Sequence, residues 1–221
     1  MLATGASFNT LKMPGAADLT GKGIYYGAAH TEAYYYKGQE VFVVGGANSA
    51  AQGALFLSRY ASKVTVLIRG PEVAAAQHLL NALRADPKIE IRLNTDLLEA
   101  HGAPAGKLEA VTVKNTATGV VEKLTAAAMF VFIGVRPQSD LVAELVLRDP
   151  KGYVLTGLDL MKDGKRPAGW PLDRDPFMFE TSVPGLFAAG DVRFGTIHRV
   201  VSATSEGGAA VAMIRQYLKT L

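Results

Sequence analysis

Short apolar runs and helical stripes alternate through the first half of the chain. Val41-Phe-Val-Val44 is an apolar, β-branched run that ends at Gly45-Gly46. From Ser49 to Tyr60 the period changes: Ala50, Ala54, Leu57 and Ala61 fall on one helical face, with Ala51, Leu55 and Ser58 beside them. Asn48 or Ser49 is expected to cap this helix by accepting a free backbone N–H. Val64, Val66 and Ile68 alternate in a second strand over 63–69, and 73–83 reads as a second helix, stopped at Asp86-Pro87. A βαβα unit of this length is half of a dinucleotide-binding fold.

The pattern then changes. Ile89, Ile91 and Leu93 alternate, as do the positions from Leu108 to Val113, and a turn-rich stretch over 115–119 leads into a short polar strand over 120–124. These three segments predict a β-meander. Met129–Ile133 reads as a buried strand ending at Gly134. Beyond Pro137, residues 151–175 are rich in Gly, Pro, Asp and Lys and predict loops. Ser182-Val-Pro-Gly185 is a turn launching a buried strand, Leu186–Ala189, and 202–221 forms the closing helix.

Composition narrows the classes. At about 150 residues per domain, 221 residues correspond to one large domain or two small ones. With 49% hydrophobic and 19% charged residues, the chain buries a core and is not a disordered tail. The net charge is only +3 and no long basic run occurs, which argues against a nucleic-acid partner. Cysteine is absent, excluding disulfides, zinc–thiolate sites, iron–sulfur clusters and thiol mechanisms, and fitting a reducing compartment. The longest apolar stretch, 124–135, falls short of the ~20 residues a membrane helix needs, and the N-terminus lacks a basic, apolar leader. A soluble, cytoplasmic protein without a membrane partner is the expectation.

Gly45-Gly46-Ala47-Asn48-Ser49-Ala50 reads G-x-A-x-x-A, one step from G-x-G-x-x-A. The first Gly makes the tight turn, the third position lets backbone approach a diphosphate, and the last small residue lets helix and strand pack closely. Ala47 puts a methyl where the diphosphate passes. The alternative is a βα turn that merely contains glycine. Arg69, at the end of the second strand, suits the 2′-phosphate of NADP, whereas Glu72 could instead serve the ribose of NAD. Gly190-Asp191 follows a buried strand, where open α/β sheets bind ligands; a carboxylate capping the next turn is the competing reading. Small residues at the start of the closing helix leave room for a ligand near its N-terminus. His30, His78, His101 and His198 show no metal-ligand spacing, and Ser49 is in no nucleophile elbow. Tyr34-Tyr35-Tyr36 reads as a strand or loop, or as an aromatic face.

Taken together, five segments resemble low-molecular-weight thioredoxin reductases. Gly23-Ile-Tyr-Tyr26, residues 38–50 and 64–69 resemble the NADPH domain; Phe132-Ile-Gly-Val-Arg-Pro137, with Gly134, resembles its exit; residues 180–192 resemble the second flavin-binding motif. The resemblance implies that Asp191 holds the ribityl chain of FAD, that Arg199, Val200 and Val201 run along the flavin's pyrimidine side, and that the closing helix points its N-terminus at the flavin. It also implies a homodimer by analogy. The family's redox dithiol follows the Gly-Ile-Tyr-Tyr segment, and this chain reads Gly27-Ala-Ala-His30 there, which makes His30 the candidate proton relay. Leu2-Ala-Thr-Gly-Ala6 corresponds to the end of the family's first flavin-binding segment, so the expectation is an N-terminally truncated, dithiol-lacking relative.

The expected fold is α/β, with two three-layer, Rossmann-like FAD/NAD(P)-binding domains, the flavin domain incomplete. Residues 1–37 would form its N-terminal part and a linker, 38–136 the NADP(H)-binding domain, and 137–221 the C-terminal part of the flavin-type domain. The expected function is hydride transfer from NADPH to FAD and on to an acceptor other than a protein disulfide. The alternative is a non-catalytic nucleotide-binding or regulatory module that needs a partner for FAD.

Overall fold

A computed structural model describes residues 1–28 and 30–220. Along the chain lie β1 (Ala6–Phe8), β2 (Ile24–Tyr26), α1 (His30–Tyr35), β3 (Glu40–Val44), α2 (Asn48–Leu57), β4 (Lys63–Leu67) and α3 (Gln77–Ala85). Next come β5 (Ile89–Arg92), β6 (Thr95–His101), β7 (Ala110–Asn115), β8 (Val121–Thr125), β9 (Ala128–Val131), β10 (Val135–Pro137) and α4 (Val200–Leu218). These elements sort into two units, Asn9–Gly134 and Met1–Phe8 with Val135–Leu221.

The first unit is built on a five-stranded sheet of order β2-β9-β3-β4-β5, parallel throughout. Its inner strands β3, β4 and β9 are buried on both faces, as parallel strands with near-continuous apolar sequence are. Val41, Val43, Val64, Val66 and Phe130 face the helices, packing on Ala50, Ala54, Leu57, Leu79 and Leu83. The alternate positions Phe42, Val44, Leu67, Met129 and Val131 face the antiparallel sheet β6-β7-β8 through Ala100, Leu108, Val111 and Val113. Helices, parallel sheet and meander thus form three layers, and the Rossmann-like α/β class expected from the sequence is what the chain adopts.

Several expectations need correction. Residues 9–37 belong to the nucleotide-type unit, not to the flavin-type one, because β2 pairs with β9 in the register Ile24↔Met129, Tyr25↔Phe130 and Tyr26↔Val131. The exit boundary lies at 134/135 rather than 136/137. The meander's first strand is β6, not 89–93: Ile89–Arg92 is the edge of the parallel sheet, and Asn94, in the left-handed region at φ 52°, turns the chain away from it. A bulge between Leu97 and Glu99 breaks the alternation that would have revealed β6. Helix α3 starts at Gln77, since 73–76 is non-helical and Ala74 bridges Ala47. Tyr34 and Tyr35 lie on α1 rather than on a strand or loop, and Tyr36 turns inward so that its hydroxyl meets that of Tyr25 at 3.1 Å.

In the second unit β1 pairs antiparallel with β10, Ala6 opposite Pro137. Phe187–Ala189 are buried and extended, but they make bridges rather than a ladder: Leu2 to Ala188 in parallel and Glu180 to Phe187 antiparallel. Phe179, Phe187, Ala189 and Ala210 form the core beneath α4. Glu180 is fully buried and saturated. Arg174 donates to it at 2.7 and 3.0 Å, Phe177 N–H at 2.9 Å and Gly185 N–H at 2.8 Å. Burial pushes its carboxyl upward, but these donors outweigh burial and hold it below the usual glutamate range. The loops before it are tied by Arg166, which donates to Asp175 at 2.8 Å and Asp173 at 3.0 Å.

Candidate nucleotide and flavin sites

In the Asn9–Gly134 unit, β3 delivers the chain to Gly45 at the carboxyl edge of the sheet, where ligands bind in open α/β folds. Gly45 has φ 138°, and a Cβ there would lie 2.5 Å from the Phe132 carbonyl oxygen and 3.1 Å from Ala50 Cβ. Only glycine fits. Gly46 lies over Ile68, whose Cγ2 would be 3.0 Å from a Cβ at that position. Ala50 is buried against the strand, so the last small residue of the motif does what its position requires. Ala47, Asn48 and Ser49 are exposed, and α2 begins at their crest.

The expected side-chain cap does not form. Asn48 instead accepts from the Ala76 backbone N–H at 2.7 Å, fastening the α3 approach to the turn. The first N–H groups of α2 therefore have no side-chain partner, the condition in which a helix start receives an anion. Arg69 is exposed two residues beyond β4, and Glu72 is exposed three residues further on, its carbonyl reaching back toward Gly46. Gly134, at φ 87°, ends the unit and accepts from Asn9 N–H at 3.0 Å.

His30 is not brought to this turn. Its ring sits edge-on to Phe56 at 4.8 Å and its Nδ1 lies 3.3 Å from the Tyr60 hydroxyl. Phe56 is eight residues into α2 from Asn48, so at 1.5 Å per residue His30 packs about 12 Å along the helix. A cavity of about 650 Å³ also lies elsewhere: Glu40, Lys107, Glu109 and Thr125 line it at the amino edge of the sheet.

In the second unit, Gly190-Asp191-Val192 make a single 3-10 turn against the start of α4. Gly190 has φ 75°, and a Cβ there would meet Ala203 Cβ at 3.4 Å, so the bare first turns of α4 serve this close approach. Glu206, which sequence reasoning missed, braces the turn from α4. It accepts from Gly190 N–H at 2.8 Å, Arg193 at 3.1 and 2.7 Å, and Thr196 at 3.0 Å. Burial pushes its carboxyl up, and Arg193, Gly190 and Thr196 together hold it low. The available signal was a lone carboxylate among the small residues of 202–210. Arg199 is the residue before α4 and gives no side-chain cap, and Val200 is 81% exposed. With Asp191, Ala203 and Thr204 they line a shallow concavity of about 440 Å³.

Asp191 Oδ1 is shut off from solvent and accepts no hydrogen bond. An unanswered buried acceptor costs on the order of 1–3 kcal/mol. The rest of the carboxylate stays open, its side chain 36% exposed, and beside an uncapped helix start it fits a hydroxyl-bearing, partly anionic ligand. Both turns therefore fit the cofactors that the resemblance implies. Among the described residues, no helix is long and apolar enough to cross a membrane.

Comparison with known proteins agrees with this geometry. Residues 1–207 match the model of the family described as pyridine nucleotide-disulphide oxidoreductase. A thioredoxin reductase of Peptoclostridium litorale is 35% identical over 227 residues, covering 100% of this chain and 65% of that protein. One of Bacillus subtilis (strain 168) is 32% identical, covering 100% of this chain and 63% of its own length. The crystal structure of Lactococcus lactis thioredoxin reductase aligns with a TM-score of 0.78 at 26% identity, over 99% of this chain and 65% of that one. That of T. acidophilum thioredoxin reductase gives 0.75, again at 26% identity, over 98% and 64%. The chain thus spans about two thirds of the length of these relatives, slightly less in each case. A glycine turn with room for no side chain, a bare Gly-Asp turn against a helix start, and a match running through both place this chain in the pyridine nucleotide-disulphide oxidoreductase family.

Proposed function

We propose that the chain is a thioredoxin-reductase-like flavoprotein that takes hydride from NADPH into FAD and releases the electrons without a dithiol. The observation that carries this reading is the Gly45–Ala50 turn, whose packing tolerates no side chain at Gly45 while its crest is exposed to a ligand. Gly45, Gly46, Ala47, Asn48, Ser49 and Ala50 would hold the diphosphate of NADP(H) and Arg69 its 2′-phosphate. Gly190, Asp191, Arg199 and Val200 would line the flavin site, with Gly134 at the exit of the nucleotide unit.

Bound nicotinamide and flavin supply the electron chemistry; the chain's own residues bind, orient and set the local field. Asp191 would accept a hydrogen bond from a hydroxyl of the cofactor chain, and the N–H groups at the start of α4, which has no side-chain cap, would favour negative charge beside them. With no cysteine anywhere in the sequence, no thiol relay carries electrons onward. The acceptor would be one that takes electrons without a thiol of this chain.

The test is NADPH oxidation by the purified chain with FAD, using ferricyanide or a soluble quinone as acceptor and oxidised thioredoxin as the contrast. Turnover with the small acceptors and none with thioredoxin is expected. Equal turnover with thioredoxin would refute the dithiol-free route. Tight NADPH binding without turnover toward any acceptor would favour the regulatory module instead.

A further inference from the structure

The Asp191 side chain keeps 36% of its surface exposed, although its Oδ1 is buried and unbonded. The open face of the carboxylate is therefore that of Oδ2. Facing Oδ1 is the imidazole of His198, with Nδ1 3.4 Å away. The ring is confined on another side by Tyr153, centroid to centroid 5.9 Å. His198 also joins two concavities, the one at the start of α4 and a second of about 230 Å³ lined by Asp149, Lys151, Tyr153, Arg193 and Thr196.

The neighbouring guanidinium is not free to serve Asp191. Arg193 spends Nε and Nη2 on Glu206 and donates Nη1 to the Phe194 carbonyl at 2.9 Å. Glu206 is likewise saturated, so it does not compete for the imidazole. His198 Nδ1 is thus the nitrogen that faces the orphan oxygen, at 3.4 Å and with no hydrogen bond formed.

We propose that His198 is a positioning residue: it holds the buried oxygen of Asp191 so that the opposite oxygen is presented to a hydroxyl of the flavin cofactor. This rests on the flavin reading above. A carboxylate without such a partner swivels about its last torsion, which is broad and soft. A side chain that must meet a hydroxyl at one angle gains affinity from being locked by its support.

FAD binding to the purified chain, followed by quenching of flavin fluorescence, tests this. H198A is expected to weaken FAD binding about tenfold, the scale of one lost supporting contact. H198Q, which restores a donor, is expected to recover most of that loss. D191N weakens binding by itself, and adding H198A to D191N has no further effect, because the two act as one unit. H198A binding FAD like wild type, or a loss that adds in full to that of D191N, overturns the proposal and leaves the flavin reading intact. A wild-type chain that binds no FAD overturns the flavin reading instead. The pairing itself is then read from the imidazole ¹⁵N shifts of His198 in the flavin-free chain. D191N is expected to move them, and unmoved shifts refute the pair.

Discussion

Gly45 and Ala50 approach so closely across the turn between β3 and α2 that a side chain at position 45 would stand 3.1 Å from the Ala50 methyl. The same atom would stand 2.5 Å from the Phe132 carbonyl oxygen, and φ 138° is strained for any L-residue. Gly45→Ala is therefore expected to destabilise the chain by about 2 kcal/mol and to weaken NADPH binding at least tenfold. Urea unfolding and NADPH fluorescence titration check the two effects. Binding at wild-type strength would show that no nucleotide uses this turn.

On the proposed function, Arg69 would read the adenosine end. The residue is exposed two positions beyond β4, and a guanidinium there would fork onto a 2′-phosphate. Arg69→Asp is expected to cut NADPH affinity by about a hundredfold, roughly the 2–3 kcal/mol of a charge-assisted pair, with NADH affinity unchanged or improved. Calorimetric titration with both nucleotides measures the ratio. An unmoved ratio makes Arg69 a surface bystander.

The Arg174–Glu180 pair is expected to contribute to the acid limit of the unit that holds residues 135–221. Because the folded carboxyl is held below its unfolded value, its contribution to stability is complete above the usual glutamate range and is lost as pH falls through the lowered value. Arg174→Met leaves a buried carboxylate without its cation, which is expected to cost about 3 kcal/mol near neutral pH. The same change raises the carboxyl, so the acid unfolding midpoint moves to higher pH. Melting curves between pH 3 and 7 follow both. A variant whose acid midpoint stays in place would refute this account of Glu180.

Two helical glycines are expected to respond oppositely. A methyl at Gly53 would enter the Phe132 ring, so Gly53→Ala overpacks the α2 face and is expected to cost about 1–3 kcal/mol. Gly208 is exposed on α4, and a methyl added there would have nothing within 4 Å. Gly208→Ala is therefore expected to stabilise by about 0.5–1 kcal/mol through helix propensity. Thermal unfolding of the pair tests the contrast, and a destabilised Gly208→Ala would mean that α4 is covered in solution.

What the sequence made legible was whatever is local and periodic. The β3-turn-α2 unit, β4, β9 and α4 all announce themselves through runs, stripes and glycine spacing. Partners distant in sequence did not. Nothing near Ile24 says that it pairs with Met129, and the bulge at Leu97 hid β6. At the candidate sites the glycines and Asp191 were readable from motif spacing, whereas Glu206 and His198 were not. Their roles exist only once α4 and the segment before it fold back onto the Gly190 turn. Asn48 was misread for a related reason: its side chain prefers the backbone of Ala76, 28 residues away, to its own helix.

The sheet order β2-β9-β3-β4-β5 carries a consequence for how this chain is made. β9, the last strand of that sheet to leave the ribosome, belongs between two of the earliest, β2 and β3. Until residue 131 has emerged, each of those two strands exposes a bare, apolar edge on the side that β9 will fill. Assembly must wait for a long-range insertion, which is slow and invites misassociation between nascent chains. Synthesis stalled before Ala128 would yield sticky intermediates, and recruitment of holdases should be greatest over that interval.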